Sequence, residues 1–261
     1  MNQKYQLQFI SRENLKKHLK EVYNSYQKIF ASQNLDNFNR NIVDPFQILI
    51  EHVLLGKDIK KIIAGEIIRQ QNKSCANVLG YFHQYIFRYI SPDWEIPEKG
   101  WDLVNNKQLI YVEIKSKWNT MNVNSAQNAY QKMEQEIKKN PQAQCYLVEI
   151  IAKKTQDKPW QPTFGGVKTE TSERIRRISI DKFYELITGD KQAFFKLIIT
   201  LPQLLKEIVV EEGIIQTGEN TVLSELEKQN PNHLLALFNL SFQQYEGFKE
   251  FLEKNKEAFN D

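Results

Sequence analysis

Cysteine is scarce in this sequence. The 261 residues include only two, Cys75 and Cys145, and they lie far apart. A disulfide framework requires more cysteines, and a zinc site requires closely spaced ligand pairs, so neither is expected. Free thiols are typical of a reducing compartment, and we therefore predict a cytoplasmic protein.

Long apolar runs are also missing. No uninterrupted apolar stretch reaches the ~18 residues that a transmembrane helix requires, and the N-terminal segment MNQKYQLQFISRENLKKHLK has no run like that of a signal peptide. A G-x-x-x-x-G-K-[ST] loop is absent too, so there is no reason to expect ATP-driven movement. We predict a soluble protein that has no membrane partner.

A strong excess of one charge is absent as well. The 35 basic and 32 acidic residues leave a formal net charge of +3. This balance permits a polyanionic partner without requiring one, because nucleic-acid binding depends on a local basic patch. Apolar residues, in contrast, make up 41% of the chain and aromatic residues 11%. That content is sufficient for a sizeable core and argues against disorder.

Strand-like segments are concentrated between residues 101 and 180, and helical patterns occupy the sequence on both sides. This order predicts an α/β (α+β) fold in which a central mixed sheet is flanked by helices. No clear linker interrupts the chain, so we expect a single domain over residues 1–261. It comprises a mainly helical N-terminal part (1–90), a sheet-containing core (91–190) and a helical C-terminal part (191–261).

The most strand-like segment, LIYVEIKSKWNT (residues 109–120), contains two charges where an apolar run would be expected. Side chains alternate between the two faces of a strand. One face then carries Ile110, Val112 and Ile114, and the other carries Tyr111, Glu113 and Lys115. The acid and the base therefore share a face, roughly 7 Å apart along the backbone, while the apolar face stays intact.

A third charge, Asp102, precedes this segment on a second predicted strand. If residues 105–108 form a four-residue turn, Asp102 lies opposite Tyr111 and is a diagonal neighbour of Glu113, roughly 7–8 Å away. A two-residue turn at Asn105-Asn106 would instead pair Asp102 with Leu109 and place the two carboxylates too far apart to share a metal easily. A shared metal site therefore predicts the longer turn.

Two carboxylates on one face, with an ammonium group beside them, suit a divalent metal. Hard oxygen ligands hold Mg²⁺, and the metal stabilises charge on a phosphate and acidifies a bound water. Asp102 and Glu113 are the candidate ligands, and the backbone carbonyl of Ile114 is a natural further one. Lys115 can orient the attacking water and balance the charge that develops. The simpler alternative is an exposed cross-strand ion pair without catalytic function.

The order Gly100-Trp101-Asp102, ten intervening residues and Glu113-Ile114-Lys115 resembles the signature of the PD-(D/E)XK nuclease superfamily. The following SKWNTMN and the upstream GYFHQ (residues 80–84) resemble, more specifically, a group of type II restriction endonucleases that cut GGNCC-type sites. The resemblance covers roughly residues 78–190. It implies the superfamily's mixed-sheet nuclease core, with the same residues in the metal-binding and water-orienting roles and Mg²⁺ as cofactor.

The resemblance implies a reaction as well as a fold: site-specific hydrolysis of phosphodiester bonds in double-stranded DNA. A palindromic site calls for a two-fold homodimer, so that each DNA strand meets one active site. A cognate DNA methyltransferase would protect the host DNA. Two other functions stay open: a nuclease of the same superfamily in DNA repair or junction resolution, and a non-catalytic DNA-binding protein.

Two positions need separate comment. Trp101, rather than proline, precedes Asp102, and this departs from the superfamily's pattern. A literal Pro92-Asp93 pair occurs upstream, but it lies in a predicted loop between prolines, so we favour Asp102 as the ligand. Gln84 belongs to an aromatic-rich predicted helix just before the sheet, and it is a candidate to support the metal site from outside the ligand set.

Three segments are candidates for DNA binding: SKWNTMNVNS after the acidic strand, TSERIRRISI further along the chain, and between them the loop QPTFGGVKTE, which could close over DNA. Phosphate contacts supply affinity and base-edge contacts supply specificity, for which arginine is the usual reader of guanine. The candidate residues are Lys117, Asn119, Thr120, Asn122, Asn124, Arg174, Arg176 and Arg177. Strand alternation places the last of these on the opposite face from the other two arginines.

Overall fold

The computed structural model describes residues 5–31, 33–41, 43–255 and 257, and the chain divides into two compact units. The first unit takes in the chain up to Tyr23 together with Leu79–Ile214. The second takes in Asn24–Val78 and the chain from Ile215 onward. The grouping of the whole chain into one domain stays a prediction.

Helices form the N-terminal and C-terminal parts of the chain, as predicted. The first five are α1 (Arg12–Ile29), α2 (Leu35–Asn39), α3 (Pro45–Leu55), α4 (Ile59–Tyr85) and α5 (Phe87–Ile90). The last five are α7 (Ile180–Thr188), α8 (Ala193–Glu212), α9 (Val222–Gln229), α10 (His233–Phe242) and α11 (Phe248–Lys254). None of the helices in the described ranges combines the length and apolarity needed to cross a bilayer.

Among the residues that the structure describes, the strands all lie in the first unit. They are β1 (Trp94–Glu95), β2 (Leu103–Asn105), β3 (Ile110–Lys117), β4 (Gln144–Ile151), β5 (Asp157–Pro159), β6 (Thr163–Phe164), β7 (Val167–Lys168) and β8 (Ile175–Ser179), with α6 (Val123–Lys139) between β3 and β4. Six of them form one sheet in the order β1-β2-β3-β4-β8-β5, and β6 pairs with β7 in a separate hairpin. The pairs β3–β4 and β4–β8 are parallel and the others in the sheet are antiparallel, which confirms the predicted mixed sheet.

The two faces of the sheet pack against different helices of the first unit. On one face, Tyr130 and Met133 of α6 are buried against Cys145 and Leu147 of β4. On the other face, the ring of Tyr146 lies 6.1 Å from that of Phe183 in α7. Because paired residues of neighbouring strands share a face, Glu113, the partner of Leu147, faces α6.

The second unit has its own apolar core. Residues from four of its segments, Phe38, Ile63, Leu226 and Phe238, are each at most 4% exposed and belong to one cluster.

The β2–β3 hairpin has a different register from the predicted one. The four-residue connection covers residues 106–109 instead of 105–108, and Val104 pairs with Tyr111. Asn105 remains in the strand because it is buried opposite Ile110, and its side chain accepts a hydrogen bond from the Gln108 amide at 3.0 Å. The connection ends at Leu109, whose φ is +56°.

This register moves the partner of each β2 residue by two positions. Such a shift keeps every side chain on its face, since the side-chain period of a strand is two residues. The prediction that Asp102 lies opposite Tyr111 was therefore wrong. Asp102 lies one residue before the Leu103–Val112 pair, just outside β2, and it is therefore not part of the regular ladder.

Candidate active site

Asp102 is fixed against β3 by two hydrogen bonds. Its amide donates to the carbonyl of Val112 at 3.1 Å, and its Oδ2 accepts from the amide of Ile114 at 2.7 Å. In a longer β2, a backbone carbonyl would accept the hydrogen bond from the Ile114 amide. Here the Asp102 carboxylate accepts it instead. Within a strand, the amide and carbonyl of one residue point to the same neighbour, so the Ile114 carbonyl also faces the Asp102 side.

Glu113 is held between two ammonium groups. It is 8% exposed, and its Oε2 accepts from the Nζ of Lys115 at 3.0 Å, while its Oε1 contacts the Nζ of Lys132. The Nζ of Lys115 also lies 3.9 Å from Oδ2 of Asp102. The structure thus brings the three residues predicted from the hairpin together at one place on the α6 face.

Lys132 was not among the predicted site residues. It belongs to α6, and its Nζ contacts the carbonyl of Gly100 as well as Glu113. The same Nζ lies 4.1 Å from the centre of the Trp101 ring, a distance at which the ring's negative face attracts a cation. Trp101, at the position where the superfamily's pattern has proline, therefore helps to locate a second lysine beside Glu113.

Asp102 is a partly buried carboxyl that lies close to a second carboxylate. Burial, and after it the negative charge of Glu113, raise the pKa of the Asp102 carboxyl. The Ile114 amide and the two lysines act in the opposite direction but do not cancel the increase. A cation between the carboxylates would relieve this repulsion, because a nearby positive charge favours their ionised forms.

The donor set fits a divalent metal with a small protein ligand set. Over the described ranges, no cluster of three or more His, Cys, Asp or Glu side chains is arranged to hold a metal. The site therefore offers two carboxylates, Asp102 and Glu113, with the Ile114 carbonyl as a third oxygen. Mg²⁺ suits such a set, since it retains several waters and commonly binds through one or two carboxylates plus substrate phosphates.

The polar segment after β3 is used largely for turn and cap hydrogen bonds. The hydroxyl of Thr120 donates to the carbonyl of Lys117 at 2.9 Å, and Oδ1 of Asn122 accepts from the Ser125 amide at 2.8 Å as the N-cap of α6. Asn119 and Asn124 are exposed. The roles of these residues in DNA binding stay predictions.

The arginines of β8 point to opposite faces, as strand alternation predicts, and both are engaged. Nε of Arg176 donates to Asp157 at 2.6 Å, and its Nη1 donates to Glu173 at 2.8 Å. Arg177 faces α6, and its Nε donates to the buried Glu149 at 2.8 Å. Arg174 lies just before the strand, and its backbone carbonyl accepts from the Cys145 amide at 2.8 Å.

Two other candidates lie away from these contacts. Asp93, the alternative acid, has its Oδ2 3.6 Å from the Nζ of Lys107, whereas Asp102 is the acid that contacts β3. Gln84 is partly buried in the last turn of α4, and its supporting role stays a prediction.

Comparisons with known proteins identify the family of the chain. A family model described as Eco47II restriction endonuclease matches residues 7–210, most of the chain. The type II restriction enzyme Sau96I of Staphylococcus aureus is 27% identical over 237 residues, which cover 88% of this chain and 90% of that protein. The type II restriction enzyme Eco47II of Escherichia coli is 28% identical over 222 residues, which cover 81% of this chain and 91% of that protein.

The family match extends beyond the sheet. It includes the helices that precede the hairpin and most of α8, so the likeness does not rest on the short D-x(10)-E-x-K pattern alone. The predicted class, a type II restriction endonuclease, is confirmed, and enzymes of this class act on double-stranded DNA with a divalent metal. The chain belongs to the Eco47II restriction endonuclease family.

Proposed function

We propose that the chain is an Mg²⁺-dependent endonuclease that hydrolyses phosphodiester bonds in double-stranded DNA at a GGNCC-like site. The observation that carries this proposal is the convergence of Asp102, Glu113 and Lys115 on one face of the hairpin. Cleavage would leave a 5′-phosphate and a 3′-hydroxyl. Asp102, Glu113 and the Ile114 carbonyl would hold the metal, which, when bound, stabilises charge on the phosphate and lowers the pKa of a water.

The protein's own groups supply position and charge. Lys115 contacts Glu113 at 3.0 Å and reaches Asp102 at 3.9 Å, so its ammonium group stays beside both carboxylates. From there it orients the attacking water and compensates negative charge as the phosphate is attacked. Lys132 contacts the other oxygen of Glu113, which restricts rotation of that carboxylate. Because each of its oxygens contacts a lysine, the Glu113 carboxylate is already oriented before DNA binds.

The proposed recognition sequence also bears on the oligomeric state and on the partner enzyme. GGNCC is palindromic apart from its centre, so a two-fold homodimer would present one active site to each strand. A cognate methyltransferase would modify the same sequence in the host DNA. We propose that both enzymes act in the cytoplasm, where they have access to the chromosome and to incoming DNA.

Cleavage mapping tests the proposed substrate. Plasmid DNA is incubated with the purified chain in the presence of Mg²⁺ or a chelator, and the new ends are sequenced. We expect ends that share one GGNCC-like sequence and carry 5′-phosphates, with no cutting in the chelator. The Glu113→Ala chain, purified in the same way, controls for contaminating nucleases. Ends without a common sequence would contradict the proposal and favour a repair or junction nuclease. DNA binding without metal-dependent cutting would favour a non-catalytic DNA-binding protein.

A further inference from the structure

A basic groove lies beside the candidate active site in the first unit. It has a volume of about 390 Å³, and residues of β5, β8 and the β6–β7 hairpin line it together with the N-terminal part of α6 and the segment before that helix. Its lining includes the cations Lys158, Lys168 and Arg177. No acidic residue is present among the described residues that line it, so the groove favours an anion.

The walls of the groove include two tryptophan rings and two prolines. Trp118 is 40% exposed and forms one wall, and Nζ of Lys153 lies over its ring, 4.0 Å from the ring centre. Trp160 is 5% exposed and packs into the core beneath α6. Pro159 and Pro162, which flank Trp160 on either side, also line the groove. Such a surface suits a ligand that has both an apolar part, which packs against the rings, and a negative charge, which the cations attract.

The three cations differ in whether a carboxylate already pairs with them. Arg177 is held by Glu149, which is 1% exposed, and its Nη2 also donates to the carbonyl of Trp118 at 3.2 Å. Lys158 and Lys168 are exposed, and no carboxylate within the described part of the chain pairs with either of them. Arg177 therefore shapes the groove, and the two lysines supply its uncompensated positive charge.

The groove and the active site share one face of the sheet. Lys115 on β3 pairs with Glu149 on β4, and Arg177 on β8 is bound to that same Glu149. Lys158 on β5 pairs with Arg177 across the next antiparallel ladder. Neighbouring strands lie about 4.8 Å apart, so β8 is about 10 Å from β3 along the sheet.

We propose that this groove binds the sugar–phosphate backbone of the cleaved DNA strand next to the scissile bond. Lys158 is on β5, three strand spacings or about 14 Å from β3, and successive nucleotides of a strand rise about 3.4 Å along the duplex axis, so this lysine would meet the backbone about four nucleotides from the reacting phosphate. Lys158 and Lys168 contact phosphates there, and Trp118 packs against the sugar. The inference rests on the proposed function, because it takes duplex DNA as the ligand.

The chemistry of the groove favours backbone over base edges. Lysine is a flexible point charge that suits a phosphate, whereas base reading in the major groove relies on paired donors of fixed geometry. The guanidinium of Arg177 has such geometry, but its Nε and Nη2 already donate to Glu149 and to the Trp118 carbonyl. The groove therefore contributes affinity that does not depend on sequence.

The test compares two double variants of the full chain, each carrying Glu113→Ala to prevent cleavage. The groove variant is Lys158→Gln with Lys168→Gln. The control is Lys138→Gln with Lys139→Gln, which removes the same charge from exposed lysines in the last turn of α6. Lys139 is 13 residues from Ala126, the α6 residue in the groove lining, or about 20 Å along the helix. Affinity is measured over a range of salt concentrations for a short duplex with one GGNCC site and for a matched duplex without it.

We expect the groove variant to bind both duplexes more weakly, on the order of 10- to 100-fold at low salt. Each lost phosphate contact makes the negative slope of log affinity against log salt shallower by about 0.9, so two lost contacts should reduce its magnitude by about 2. The ratio of specific to non-specific affinity should stay unchanged, as expected for backbone contacts. The control variant should keep the slope of the Glu113→Ala chain.

Three results would overturn the inference. An unchanged slope in the groove variant, or an equal change of slope in the control, would mean that DNA does not bind in the groove. Cleavage by the unaltered chain would be unaffected by that result, so the proposed function would stand. A lower specificity ratio would mean that the groove reads bases. Absence of binding to either duplex by all the chains, together with absence of cleavage by the unaltered chain, would reject the proposed function itself.

Discussion

Glu113→Ala and Lys115→Ala chains are each expected to lose DNA cleavage by about 10²–10⁴-fold while retaining DNA binding. Removal of a water-orienting or charge-stabilising group from an active site has effects of about this size. Glu113 is one of the two candidate carboxylate ligands, and Lys115 is the ammonium group that contacts both carboxylates. DNA binding should survive because it depends on phosphate contacts spread over a larger surface.

The measurement is the initial rate of plasmid nicking and linearisation at saturating Mg²⁺, with affinity for a cognate duplex measured in parallel. Lys138→Ala and Glu227→Ala are matched controls, since both residues are exposed and lie outside the described site. Both controls should cleave at the rate of the unaltered chain. Cleavage by the Glu113→Ala or Lys115→Ala chain within tenfold of that rate, about 1.4 kcal/mol in barrier height, would reject the catalytic assignment.

Arg177→Met is expected to destabilise the first unit by about 3 kcal/mol. Glu149 is 1% exposed, and loss of its partner leaves a buried carboxylate without a counter-charge, which typically costs about 3–5 kcal/mol. We expect the lower end of this range because the Arg177 side chain is 27% exposed and Nε2 of Gln156 still donates to Glu149 at 3.1 Å. The free energy of unfolding from urea denaturation measures the effect.

A double variant separates this mechanism from a general loss of packing. Replacing both partners by apolar residues, Glu149→Leu with Arg177→Met, removes the unpaired charge and should recover more than half of the lost stability. Arg176→Met is the matched control, because its partners Asp157 and Glu173 are 34% and 76% exposed and remain solvated when it is lost. A double variant less stable than Arg177→Met alone would contradict the role given to the ion pair.

The local pattern of the hairpin was sufficient to predict its faces. Alternation along β3 placed Glu113 and Lys115 together, and the structure agrees. The register was wrong because Asn105, typical of turns, remains in the strand through its burial and its hydrogen bond to the Gln108 amide. Turn composition could not reveal this, since the burial of Asn105 depends on residues that are distant in sequence.

The sequence pattern could not predict contacts between segments that are far apart in the chain. Lys132 meets Glu113 only because α6 packs over β3, and no local spacing relates the two residues. Glu149 did carry a signal: it is an acid inside the apolar run CYLVEII, the same feature that drew attention to Glu113. Its partner Arg177 becomes evident only once β4 and β8 are known to be neighbours.

The metal position is the central claim, and anomalous scattering from crystals grown with Mn²⁺ tests it most directly. Mn²⁺ is a suitable probe because carboxylate, carbonyl and water oxygens suit it as they suit Mg²⁺. We predict a peak between the carboxylates of Asp102 and Glu113, with ligand oxygens, including the Ile114 carbonyl, within about 2.0–2.3 Å. A peak elsewhere in the first unit, with these two side chains still bound only to the lysines and the Ile114 amide, would contradict the account.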